Sequence, residues 1–275
     1  MRKSGILAHP TSFPSKYGIG DLGKGAYEFV DFLEKSGQKL WQILPLGQTS
    51  FGDSPYQSFS AFAGNIYIIS PDIFVKKGYL SKKDIEIVPE FDEKNVEYGK
   101  VINYKMSLFR TAFKKFKENK EYLDFCDKNA FWLEDYSLFM SLKNYFIEQR
   151  KNTYESAEYK AYYSANEKKV ELNAIKDCFY GGAWNSFPED IRDRKPKAVE
   201  KYKKMLKSEI DFYKFLQYEF FTQWQELKEY ANEKKIEIIG DIPIFVAEDS
   251  ADVWSNRNLF SIDSKGFPKV VAGVP

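Results

Sequence analysis

Two short apolar runs, Gly5 to Ala8 and Leu40 to Leu46, flank a helical segment, and that order constrains the fold more than any other feature of the chain. Neither run alternates apolar with polar residues, the pattern of parallel strands covered on both faces. Between them a glycine-rich bend, Tyr17 to Gly23, leads into a helix with Asp21 as its N-cap. Tyr27, Val30, Phe32 and Leu33 give this helix an apolar side through about Ser36, and Gly37 ends it. Strand, helix, strand is a βαβ unit, so the predicted class is α/β with a parallel sheet. The predicted strands cover 4–9 and 39–46, and a third, over 236–246, follows from the apolar composition of Ile236 to Val246.

Between these strands the chain changes character. From about Lys76 to Lys235 it is lysine-rich and helical in pattern, with predicted helices near 100–118, 131–149 and 196–233. It reads as an insertion. Its last helix carries Ile210, Tyr213, Leu216, Gln217, Phe220, Trp224 and Leu227 at spacings of three and four, a stripe whose ordinary meaning is packing. Charge runs such as Lys195 to Lys207 read as solvated helix faces.

Composition narrows the partners. Lys+Arg 41 against Asp+Glu 40 gives a net charge of +1 over 275 residues, so no overall field favours nucleic acid or an anionic membrane. No window approaches the length of a membrane span, and the N-terminus lacks the apolar core of a signal peptide. Cys126 and Cys178 lack CxxC spacing and His9 is the only histidine, which argues against a metal site and against a Ser-His or Cys-His pair. Reduced thiols, no cofactor and a cytoplasmic location are the simplest expectation.

The segment Gly52 to Asn65 emerges from the end of the second predicted strand, the edge where parallel α/β folds build sites. Pro55 fixes φ, Gly52 and Gly64 permit bends, and Asp53 and Ser54 can bond their own backbone, so it reads as an ordered loop. Aromatic faces beside short hydroxyls suit sugar binding, because a pyranose offers C–H groups to a ring while its rim needs polar partners. The plainer alternative is a surface loop with Tyr56, Phe59 and Phe62 pinned into a core. Asp241 follows the third strand directly, where a carboxylate can meet a ligand; its plainer reading is an Asp that fixes its own turn.

At these residues the chain resembles 4-α-glucanotransferases of the amylomaltase type, glycoside hydrolase family 77. The carrying motifs are Gly5 to Ser12, Trp41 to Gly47, Gly52 to Asn65, Phe131 to Tyr136, Gly240 to Ala247, Asp249 to Trp254 and Val271 to Pro275. The resemblance implies an incomplete (β/α)8 TIM-type barrel: residues 1–75 as its first βαβ part, 76–235 as a large helical insertion, and 236–275 as the third strand with the start of a lid loop. It also implies that Tyr56 is an aromatic floor for maltooligosaccharide or α-1,4-glucan substrates, that the Ser54 hydroxyl bonds a glucose unit, and that Asp241 lies beside the same site.

The implied reaction is retaining transglycosylation, which uses two carboxyl groups about 5 to 5.5 Å apart. The family's nucleophile lies in an Arg-Ile-Asp-His-type motif that this sequence does not contain. No catalytic residue is therefore assigned. Glu248 and Asp249 are rejected as substitutes, because neighbours opening a helix do not face each other and Asp249 reads as an N-cap. Phe51 stands where many relatives carry a tyrosine of an accessory glucan site. The expectation is an N-terminal part, inactive and of marginal stability alone, with a C-terminal half encoded separately as one origin. A non-catalytic α-glucan-binding module is the alternative, and a hydrolase of the related amylase clan a third reading.

Overall fold

The computed structural model describes residues 2–49, 54–155 and 182–270. Ser50 to Asp53, Cys178 and Val271 to Pro275 lie outside them, so the readings of Phe51, Gly52, Asp53 and the lid-loop end are not addressed further.

Three strands, β1 (Gly5–Leu7), β2 (Leu40–Gln42) and β3 (Glu237–Ile239), form a parallel sheet in that order. Ile6, Trp41 and Ile238 stand side by side across it, as do Leu7, Gln42 and Ile239. The strands are shorter than predicted. At its C-terminal end the ladder extends through Ala8 N–H to Gln42 C=O and Ile43 N–H to Ile239 C=O, both 3.0 Å. Pro10, Pro45 and Pro243 follow, and a proline has no N–H to continue pairing.

The covered face centres on Trp41, which is fully buried, donates its indole N–H to Ala8 C=O at 2.8 Å, and packs against Phe13, Phe29 and Trp224. Burying a ring of this size is worth about 4 kcal/mol. On the opposite face Leu7 and Ile239 are exposed. Cover on both faces, expected from the apolar runs, is thus absent among the described residues.

By contacts the chain divides into two units, 1–130 with 214–245, and 131–213 with 246–275. The first contains the sheet and helices α1 (Lys24–Lys35), α2 (Pro71–Lys76), α3 (Tyr98–Phe113) and α4 (Lys120–Lys128). Ala26, Val30 and Leu33 form the buried side of α1. Asp21 is not its N-cap: Gly23 holds that position, and Asp21 is buried, accepting from Gly23 N–H at 2.8 Å. Lys105 lies fully buried in the apolar stripe of α3, donating to the carbonyls of Tyr67 (2.7 Å) and Ile69 (3.2 Å), with Asp21 at 3.8 Å. Burial lowers the Lys105 ammonium to about 8 and raises the Asp21 carboxyl.

The second unit contains most of α5 (Ala130–Glu155), then α6 (Glu189–Arg192), α7 (Pro196–Met205) and α9 (Ala251–Ser255). The helix predicted over 196–233 is two, α7 and α8 (Lys207–Glu233), parted at Leu206, whose φ of -103° and ψ of 17° leave helical geometry. Residues 214–233 of α8 belong to the first unit.

Candidate functional site

The loop after β2 is an excursion closed at its base. Gly47 pairs with Gly64 and Thr49 with Ser58, both antiparallel, and Asn65 N–H donates to Leu46 C=O at 2.7 Å. Ser54 opens a turn: its carbonyl accepts from Gln57 N–H (3.1 Å) and its hydroxyl from Tyr56 N–H (3.3 Å). Ser58 and Ser60 are buried; Ser58 Oγ donates to Ser60 C=O (2.8 Å) and Ser60 Oγ accepts from Phe62 N–H (3.1 Å). Asn65 Oδ1 accepts from Tyr67 N–H (2.9 Å), capping a 3-10 turn over Ile66–Ile68. Much of the hydroxyl content read as ligand chemistry therefore holds the loop's own backbone.

Among the described residues, two of the loop's three aromatics are exposed. Tyr56 is 41% exposed and Phe62 51%, while Phe59 is half-buried, so a loop pinned by all three rings does not describe it. Tyr56 Oη donates to Asp241 Oδ2 at 2.7 Å, joining residues 185 positions apart. Asp241 Oδ1 accepts from Ile242 N–H at 2.8 Å, so its carboxylate bonds the neighbouring backbone and meets Tyr56 as well. That hydrogen bond to a carboxylate pushes the Tyr56 phenol above its ordinary value, keeping it a neutral donor. A cavity of about 220 Å³ opens beside Asp241, walled by Phe62, Phe220, Phe221, Trp224 and Pro243. Its mainly apolar walls with one carboxylate suit an uncharged ligand bearing hydroxyls.

Ser54, Tyr56 and Asp241 thus lie in one unit, with Tyr56 bonded to each of the others. Sequence pattern does not mark Phe62, Trp224 or Gln217 as site residues. Gln217 carried a signal: a glutamine inside an apolar stripe must find partners when buried. Glu248 and Asp249 lie in the other unit and have structural partners. The Asp249 carboxylate accepts from the Lys143 ammonium and from Trp184 N–H (3.1 Å), and Glu248 C=O accepts from the Trp184 indole (2.9 Å). Asp249 is also not the N-cap of α9: Ser250 is, accepting from Val253 N–H at 3.2 Å. Among the described residues no group of three His, Cys, Asp or Glu side chains could hold a metal ion, and no helix is long and apolar enough to cross a membrane.

The sequence profile of 4-alpha-glucanotransferases matches residues 8–275. The chain belongs to the 4-alpha-glucanotransferase family. It is 48% identical over 271 residues to a 4-alpha-glucanotransferase of Clostridium butyricum, covering 97% of this chain and 49% of that protein. To the Synechocystis 4-alpha-glucanotransferase it is 41% identical over 281 residues, covering 100% of this chain and 49% of its relative. The solved amylomaltase from Streptococcus agalactiae in complex with acarbose matches with a TM-score of 0.83 and 37% identity, over 100% of this chain and 50% of that one. The chain thus spans about half the length of the 4-alpha-glucanotransferases it matches.

Proposed function

We propose that this chain supplies an α-1,4-glucan-binding part of an amylomaltase-type 4-α-glucanotransferase, which transfers glucan segments between maltooligosaccharides by retaining transglycosylation. The Tyr56–Asp241 hydrogen bond carries this reading, because it holds an exposed aromatic ring of the loop after β2 beside a carboxylate that follows β3. The Tyr56 ring stacks on a pyranose face, Asp241 accepts from sugar hydroxyls, and the Ser54 hydroxyl donates to one. The chain alone performs no transfer in this reading, since the family's nucleophile motif is not among its residues.

The sheet belongs to an incomplete (β/α)8 barrel whose first three strands are β1 to β3, with 76–235 as the helical insertion. The exposed Leu7 and Ile239 support this, as residues on the face that further strands would enclose. Those strands come from a C-terminal half, on the same or a separate chain.

Calorimetric titration with the oligosaccharide acarbose, the compound bound to the S. agalactiae relative, tests the binding role. Binding by the wild-type chain that weakens about tenfold in Tyr56→Ala is expected, as for loss of one stacking platform and one hydrogen bond. No binding at millimolar acarbose would sink the reading. Incubation with maltotriose separates the alternatives: disproportionation only after a relative's C-terminal half is added supports an enzyme part, whereas retention on amylose with no product under either condition supports a stand-alone binding module.

A further inference from the structure

We propose that Gln217 is the positioning residue of the loop that carries Ser54 and Tyr56, acting through the backbone of Gly64. In the Gly47–Gly64 pair the ladder bond runs from Asn65 N–H to Leu46 C=O, so the N–H and C=O of Gly64 face away from the partner strand. Both are buried and need partners. Gln217, fully buried on α8, supplies both from one amide: Oε1 accepts from Gly64 N–H at 2.8 Å, and Nε2 donates to Gly64 C=O at 3.0 Å. The side chain thereby takes the place of a neighbouring strand at one residue of the loop.

Two further observations fit a device built for this contact. A Cβ on Gly64 would stand 2.0 Å from the ring of Phe220, which is buried three residues along α8, so only glycine lets the loop approach closely enough for the amide to reach. The accepting half of the contact recurs at a matched interval: six residues on in both segments, the buried Gln223 accepts from Ser70 N–H at 2.8 Å. The helix therefore holds the chain at both ends of the 64–70 stretch. The loop that closes on this base carries Tyr56, whose hydroxyl meets Asp241.

Amide exchange in the wild-type chain is the first test and needs no variant. Gly64 N–H should exchange as slowly as Asn65 N–H, which Leu46 C=O holds; exchange at the rate of an open amide overturns the proposal. In Gln217→Leu, exchange across 54–64 should rise about tenfold or more, as expected for losing two hydrogen bonds, while 101–112 in α3 stays within twofold. Unchanged loop exchange in a folded Gln217→Leu also overturns it, whatever the melting temperature does. In Gln217→Glu, protection corrected for intrinsic rates should recover as the pH is lowered and the introduced carboxyl regains a donor, a dependence that a purely space-filling role would not show. A final arm rests on the α-glucan reading: acarbose affinity should fall about tenfold in Gln217→Leu. If the loop loosens but the wild-type chain does not bind acarbose, the positioning role stands and the glucan reading fails.

Discussion

His9 is the only histidine of the chain, so its titration can be followed without ambiguity. Its Nδ1 is buried with no hydrogen-bond partner among the described residues, and burial lowers the imidazole to about 4. The unfolded chain takes up this proton near pH 6.5 and the folded chain only near 4. Between these values the unfolded state binds more protons, so the His9 contribution falls as pH drops through that window, by up to about 3 kcal/mol. Burial raises the carboxyls of Asp21, Glu219 and Glu248, which act in the opposite sense, so the comparison with His9→Gln isolates the effect. The Cε1–H resonance of this one imidazole should titrate well below pH 6.5, and urea unfolding of wild type minus variant should lose stability toward pH 4. A resonance titrating near 6.5 contradicts this. At Tyr56 the expected split is between ring and hydroxyl: Tyr56→Phe should weaken acarbose binding less than Tyr56→Ala, because the ring face remains.

Elements follow the sequence pattern where a period or a glycine decides, and depart from it where a distant partner decides. Helix α1 ends as predicted because Gly37 adopts a φ of 75°, allowing Gln38 N–H to reach Leu33 C=O at 2.9 Å. Its start differs because the Asp21 carboxylate turns toward Gly23 and Lys105 instead of capping. Asp249 likewise leaves the N-cap of α9 to Ser250 and pairs with Lys143, 106 residues earlier, a partner no local rule could name. At the loop base, Gly64→Ala would place a methyl carbon 2.0 Å from the buried Phe220 ring. Overpacking of this kind costs about 1–3 kcal/mol, and it should appear as a lowered urea midpoint with an unchanged slope. An unchanged midpoint would show that the ring yields freely. Gly99→Ala, with nothing within 4 Å of its added carbon, is the uncrowded control, and its place in α3 should leave the midpoint unchanged or raised.

For the whole molecule, β3 lies at the edge of the sheet, and the chain beyond it carries Ile242, Ile244 and Phe245 at 79%, 87% and 66% exposure. An apolar row beside an unpaired strand promotes association, so light scattering should find oligomers of this chain whose size grows with concentration. The double substitution Ile244→Lys and Phe245→Lys should restore a monomer; a wild-type monomer at high concentration refutes the prediction. The sequence by itself determined the α/β class, the three strand positions, the helical middle and the loop that bears Tyr56, since these rest on local periodicity, glycine and proline geometry, and motif resemblance. Tertiary structure alone decided that Tyr56 bonds Asp241 across 185 residues, that Gln217 holds Gly64, that Lys105 is buried and that one sheet face lacks cover among the described residues. The reason is physical: local patterns fix which face of an element is apolar, whereas a buried polar group is satisfied by whatever partner folding brings to it, however distant in the chain.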